Sequence, residues 1–283
     1  MKKIIQRLIT FLVGVPLVVG VIFFLPQKNH LVFNIAVLVF CLLAAVEFRN
    51  ILAQKNLELR LCEALFLGGA GPLAWTLAVS FGLSPMVIPG AITLGALWIL
   101  ISHALGGPDK LEKYLHRCTA GFAVLIYPGL FMGWIIQMMK LPQGGMVVIF
   151  YLLTVFLNDS NAWLSGILFG KNSRGRVAAS PVKSLAGFIG GIFASVVVAF
   201  GGIYIFPEIF TSSFLPAPLS ALILGLASGA AVILGDLSES ALKRSAGVKD
   251  SGTLVMGRGG ALDSIDSAAL CAPVYYFLYL LLF

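Results

Sequence analysis

The chain has 283 residues, of which 59% are hydrophobic and only 11% charged, with a formal net charge of +7. Soluble domains run at roughly a quarter charged and about 45–50% apolar, so a water-soluble globular protein is excluded. The scarcity of charge equally excludes a disordered chain. Nor does the basic excess mark a nucleic-acid partner, because Lys and Arg are spread through loops without a basic helix or an aromatic platform.

Apolar runs interrupted by polar breaks predict nine transmembrane helices. They lie near residues 8–25, 31–48, 64–81, 85–104, 119–139, 145–168, 185–206, 218–235 and 267–283. Runs this long and continuous are unlike the ten-residue alternation of a membrane barrel. The fold class is therefore all-α, a polytopic helical membrane protein. The first span follows Met1-Lys2-Lys3 without a small-x-small cleavage site and reads as an uncleaved anchor. We expect one integral-membrane domain over 1–283. Residues 1–140 supply N-terminal helices of general character, and 141–283 supply the catalytic helices and loops.

Orientation follows from counting. With the N-terminus inside, the inner segments hold Lys2, Lys3, Arg7, Arg49, Lys55, Arg60, Lys110, Lys113, Arg117, Lys171, Arg174, Arg176, Lys183, Lys243, Arg244, Lys249 and Arg258, which is 17 of the 19 basic residues. Only Lys28 and Lys140 fall outside. The positive-inside rule asks for this asymmetry. It predicts a plasma- or inner-membrane protein with a cytoplasmic N-terminus, cytoplasmic active-site loops and an outside C-terminus.

The chemically dense segment is 236–266, with the acids Asp236, Glu239, Asp250, Asp263 and Asp266 and the bases Lys243, Arg244, Lys249 and Arg258. If the eighth helix continues past Gly235, Asp236, Glu239 and Lys243 share one face. Asp263 and Asp266 are three apart at the start of the last span. Carboxylates grouped in this way make an oxygen-rich site suited to Mg²⁺. Interleaved Lys and Arg turn that into a phosphate-handling pattern. The Gly-rich turn Gly257–Gly260 brings backbone N–H groups close to an anion.

A second segment runs through Asn158-Asp159-Ser160-x-Ala162-Trp163, Phe169-Gly170-Lys171 and Ser180-Pro181-x-Lys183-Ser184-Leu185-x-Gly187. An ionised Asp159 in a span costs about 3 kcal/mol unless it is paired or faces a wet cavity, which makes it a site candidate. Glu47, near the end of the second span, is open to two readings: a buried functional acid, or a surface partner of Arg49. The four cysteines and three histidines have no metal-ligand spacing and read as structural.

The run Ser240-Ala-Leu-Lys243-Arg244-x4-Lys249-Asp250-x-Gly252, followed by Gly257-x-Gly259-Gly260-x-Leu262-Asp263-x-x-Asp266, resembles the C-terminal signature of the phosphatidate cytidylyltransferase (CDP-diacylglycerol synthase) family. The two upstream segments extend the likeness. The resemblance implies a reaction of CTP with phosphatidate, giving CDP-diacylglycerol and pyrophosphate with Mg²⁺ as cofactor. It implies that Asp236, Asp250, Asp263 and Asp266 form the metal and phosphate site, with Lys243 among the catalytic residues. Substrate contacts would be Asp159, Lys183, Arg244, Lys249, Gly257, Arg258, Gly259 and Gly260. The partners implied are CTP and membrane phosphatidate, with no nucleic acid; a homodimer is an open expectation.

This chain departs from the family pattern at five positions, one being Val182, where a basic residue often precedes Lys183. Met256 and Arg258 stand where Pro and His are usual, Ser264 where Arg is usual, and Ala186 where Glu is usual. Two alternatives stay open on that account. One is a non-catalytic paralogue that binds lipid or nucleotide. The other is a related CTP-dependent polyprenol kinase or isoprenoid-lipid cytidylyltransferase.

Overall fold

The computed structural model describes residues 2–104, 111–255, 257 and 259–283. Arg258 and Met256, two of the positions singled out above, lie outside the described residues. Among the described residues the elements are helices and there is no named strand. In chain order they are α1 (Lys2–Phe24), α2 (Gln27–Ala53), α3 (Leu61–Ser80), α4 (Val87–Ala104), α5 (Tyr114–Met138), α6 (Gly144–Leu168), α7 (Leu185–Ile205), α8 (Ala217–Ser245) and α9 (Leu262–Leu282).

Each expected span falls on one of these helices. Seven of them, α2, α3 and α5 to α9, are long and apolar enough to cross a membrane. The described apolar stretches of α1 and α4 are shorter, Leu12–Phe24 and Val87–Ser102. Large apolar side chains such as Leu94, Trp163, Ile189, Phe193, Leu234 and Leu280 are exposed. In water that would be a liability, whereas hydrocarbon solvates such a surface.

Local chemistry explains the irregular places. Within α5, Pro128 has no N–H to donate, and the helix widens to π geometry over Leu125–Phe131. At the start of α2, Lys28, Asn29 and His30 adopt left-handed φ of 50°, 51° and 59°. Asn29 Nδ2 donates to the Val79 carbonyl at 2.7 Å, and buried Asn34 Nδ2 donates to the Asn29 carbonyl and to Ser80 Oγ. Those bonds satisfy backbone that a helix would otherwise have paired.

The helices divide between two compact units, one comprising Met1–Lys140 with Ser245–Ile265 and the other Leu141–Arg244 with Asp266–Phe283. In the first unit, Trp75 on α3 meets Trp134 on α5 edge-on at 5.3 Å, and Phe48 on α2 meets Tyr127 at 5.7 Å. In the second, Phe210 from the α7–α8 connection contacts Phe150, Tyr279 and Phe283 at ring distances of 5.0, 5.7 and 5.3 Å. Buried Tyr151 on α6 donates its hydroxyl to the Ala268 carbonyl on α9 at 2.6 Å. Asn158 on α6, also buried, donates to Ser195 Oγ on α7 at 2.9 Å and to the Gly229 carbonyl on α8 at 3.2 Å. A single amide therefore ties three helices of that unit together.

Candidate functional site

The charged residues singled out by sequence fall into two groups, one in each unit. In the second unit, α8 continues ten residues beyond Gly235 to Ser245. The extension carries Glu239 four residues before Lys243, the favourable order for an i,i+4 pair, and ends in Lys243 and Arg244, whose charges suit a helix C-terminus. Glu239 and Lys243 form the ion pair, with Glu239 fully buried. Asp236 lies one turn back on the same face, as its spacing predicts.

Lys183 reaches Asp236 from the loop before α7 and pairs with it. Its place is set by the turn it occupies. Its own N–H donates to the Ser180 carbonyl at 3.1 Å, and Gly175 N–H donates to the Pro181 carbonyl at 2.9 Å. The next residue, buried Ser184, caps α7 by accepting the Gly187 N–H at 3.1 Å. These bonds fix the backbone at Lys183, so its flexible side chain starts from a set position beside the N-cap.

Asp266 arrives on α9. At the crossing of α8 and α9, a Cβ on Gly235 would lie 2.7 Å from the Asp266 carbonyl oxygen, so only glycine permits this approach. The crossing brings Asp266 within electrostatic reach of Asp236, of Asp159 on α6 and of Lys243. Asp266 Oδ1 also accepts the Ser267 N–H at 2.6 Å.

Four carboxylates (Asp159, Asp236, Glu239, Asp266) against two ammonium groups (Lys183, Lys243) leave two negative charges if all are ionised. Among the described residues, no three His, Cys, Asp or Glu side chains are placed to hold a metal ion by themselves. Mg²⁺ usually takes one or two protein carboxylates and completes its shell with substrate phosphate and water. The hard oxygen donors of this group fit that mode rather than a closed protein cage.

The other group lies in the first unit. Gly257 and Gly259 take φ of +77° and +119°, and Val255 and Gly259 exchange backbone hydrogen bonds of 2.7 and 3.0 Å, closing a tight loop. Donors of Gly260 and Ser251 turn towards one of the chain's own carboxylates. Asp263 Oδ2 accepts the Gly260 N–H at 2.7 Å, the Ser251 N–H at 2.9 Å and the Ser251 hydroxyl at 2.8 Å. Ser264, at the position where the family pattern has Arg, donates to the Gly260 carbonyl at 2.9 Å. Lys249 and Asp250 are exposed, as is Arg244 in the second unit.

Sequence reasoning underweighted three residues. Glu47 does not take the role of a surface partner of Arg49, whose guanidinium donates to the Leu59 carbonyl and to Asn50 Oδ1. Instead it accepts hydrogen bonds from Ser251, Ala261 and Leu262. An acid inside an apolar span was the available signal. Ser251 offered no signal, and Glu239 was placed on the right face without being assigned a part.

Comparison with known proteins adds a family match: a model described as the cytidylyltransferase family matches residues 5–282. Curated relatives include a phosphatidate cytidylyltransferase of Haemophilus influenzae, 38% identical over 142 residues covering 49% of this chain and 47% of that protein. The phosphatidate cytidylyltransferase of Bacillus subtilis is 38% identical over 56% of this chain and 57% of its own. That of Thermotoga maritima is 32% identical over 62% of this chain and 64% of its own. The matches thus span between 47% and 64% of the relatives' lengths.

Proposed function

Since the chain belongs to the cytidylyltransferase family, we propose that it is an integral-membrane phosphatidate cytidylyltransferase. In the reaction, a phosphate oxygen of phosphatidate attacks the α-phosphorus of CTP. The bond from that phosphorus to the β-phosphate oxygen breaks, and pyrophosphate leaves with the electron pair, giving CDP-diacylglycerol. The observation that carries the reading is the group of Asp159, Lys183, Asp236, Lys243 and Asp266 in one unit, with acids and lysines interleaved.

The roles follow from charge. The nucleophile is a phosphate monoester whose second pKa is about 6, so it needs no strong base. Alignment and charge neutralisation then dominate the barrier. Lys183 binds phosphate oxygens, exchanging its Asp236 partner for substrate as it arrives, and Lys243, paired with buried Glu239, adds positive charge to the same group. Arg244 and Lys249, both exposed, draw the triphosphate in from solvent, and Asp250 lies beside them in the chain. Asp236 and Asp266 would hold Mg²⁺, which supplies positive charge to the CTP phosphates when bound. Asp263, in the other group, is a further catalytic carboxylate in this reading, and its hydrogen bonds from Gly260 and Ser251 hold it. In this reading the polar loops and N-terminus face the cytoplasm, as the basic-residue count predicts. Phosphatidate reaches the site from the inner leaflet.

The test is turnover by the full-length protein in phosphatidate-containing vesicles with labelled CTP and Mg²⁺. CDP-diacylglycerol and pyrophosphate are the expected products. The reading fails if no CDP-diacylglycerol forms above vesicles that lack the protein. Release of CDP instead of pyrophosphate would identify a kinase.

A further inference from the structure

The side chain of Glu47 is committed to residues more than 200 positions away. Its Oε1 accepts the Ala261 N–H at 3.0 Å, and its Oε2 accepts the Leu262 N–H at 2.9 Å and the Ser251 hydroxyl at 3.0 Å. A Cβ on Gly252 or Gly260 would run into this carboxylate, so the backbone is folded closely around it. Helix starts are normally satisfied by a Ser, Thr, Asp or Asn at the N-cap itself. The residue before α9 is Ala261, which has no such group. An acid from α2 does that work instead, at the helix end where negative charge is favoured.

The same carboxylate bears on Asp263. Ser251 Oγ lies 3.0 Å from Glu47 Oε2 and 2.8 Å from Asp263 Oδ2, and it accepts the Asp263 N–H at 3.2 Å. One hydroxyl carries one proton, so Ser251 can donate to only one of the two carboxylates at a time. How Asp263 is held therefore depends on what Glu47 accepts.

We propose that Glu47 is a positioning residue for Asp263 and Gly260, acting through Ser251 and the first turn of α9. The inference rests on the cytidylyl-transfer reading for its kinetic consequence. It makes the N-terminal helix α2 part of the machinery rather than a membrane anchor alone. Glutamine at this position keeps one acceptor oxygen but points an NH₂ group at backbone donors or at the Ser251 hydroxyl.

The experiment compares Glu47→Gln, Ser251→Ala, Ser251→Thr, Asp263→Asn and the double variant Glu47→Gln with Asp263→Asn, all in the full-length protein in vesicles. Glu47→Gln lowers kcat by about 10- to 100-fold, the usual cost of losing an orienting partner, while KM for CTP changes little. Ser251→Thr retains most of the activity and Ser251→Ala does not. The double variant is no slower than Asp263→Asn alone, because coupled residues are not additive. Multiplying losses, a wild-type kcat in Glu47→Gln, or equal activity in the two Ser251 variants each overturns the proposal.

Amide hydrogen exchange supplies a readout independent of turnover. Glu47→Gln speeds exchange at Ala261 and Leu262 and leaves the other helices unchanged; unaltered exchange there overturns the proposal. If Glu47→Gln does not accumulate as folded protein, Ser251→Ala carries the exchange test at residues 259–263. A wild-type protein that makes no CDP-diacylglycerol overturns the functional reading, while the exchange result still decides the positioning.

Discussion

Lys183 and Asp236 form an ion pair that joins the residue before the α7 N-cap to the residue after the close crossing of α8 and α9. Both side chains are partly exposed, so substrate can reach the pair. Nearby, the Glu239–Lys243 pair has one member fully buried. The two pairs therefore differ in what can compete for their lysines, and only the first is open enough for ready exchange with a phosphate.

Neutralising one partner of the open pair tests this. Asp236→Asn leaves Lys183 without its carboxylate and removes a proposed metal donor, and we expect CDP-diacylglycerol formation to fall about 10²- to 10³-fold. Lys183→Met should cost a similar factor, with a larger rise in KM for CTP or phosphatidate. Initial rates over a CTP and phosphatidate grid check both.

Glu239→Gln addresses the buried pair. Removing one partner of a buried ion pair typically costs about 3–5 kcal/mol, so this variant loses folded protein before it loses chemistry. Thermal unfolding in detergent should show a clear drop in Tm. An unchanged Tm contradicts the assignment.

Chelation tests the metal. EDTA is expected to abolish turnover and added Mg²⁺ to restore it. Asp266→Asn should need a higher free Mg²⁺ concentration for half-maximal rate. The rate against free Mg²⁺ for the two proteins decides the matter.

The helix crossing predicts a steric effect. In Gly235→Ala the new methyl meets the Asp266 carbonyl, and overpacking of this kind costs about 1–3 kcal/mol. Activity should fall as well, because Asp266 moves with α9. Gly201→Ala on α7, where an added Cβ meets nothing within 4 Å, serves as the control.

Asn158→Leu removes the amide that bonds Ser195 and Gly229. Interhelical hydrogen bonds in membranes contribute about 0.6–2 kcal/mol, so we expect a modest loss of Tm with kcat nearly retained. A large kcat loss at unchanged Tm would assign Asn158 a direct part in the chemistry.

By itself the sequence determined the all-helical membrane class, the helix positions and the two polar segments. These follow from local properties, hydrophobic run length and charge placement, which need no knowledge of partners. It also placed Asp236, Glu239 and Lys243 on one face, because helical periodicity is local. Tertiary structure alone decided which charges pair. Lys183 is 53 positions from Asp236, and Glu47 more than 200 from the loop it braces. It also decided that Asp263 and Asp266, three residues apart in one helix, serve different groups. Partner choice depends on where separate helices cross, and a crossing is set by the fit of distant surfaces, such as Gly235 against the Asp266 backbone, that no local pattern encodes.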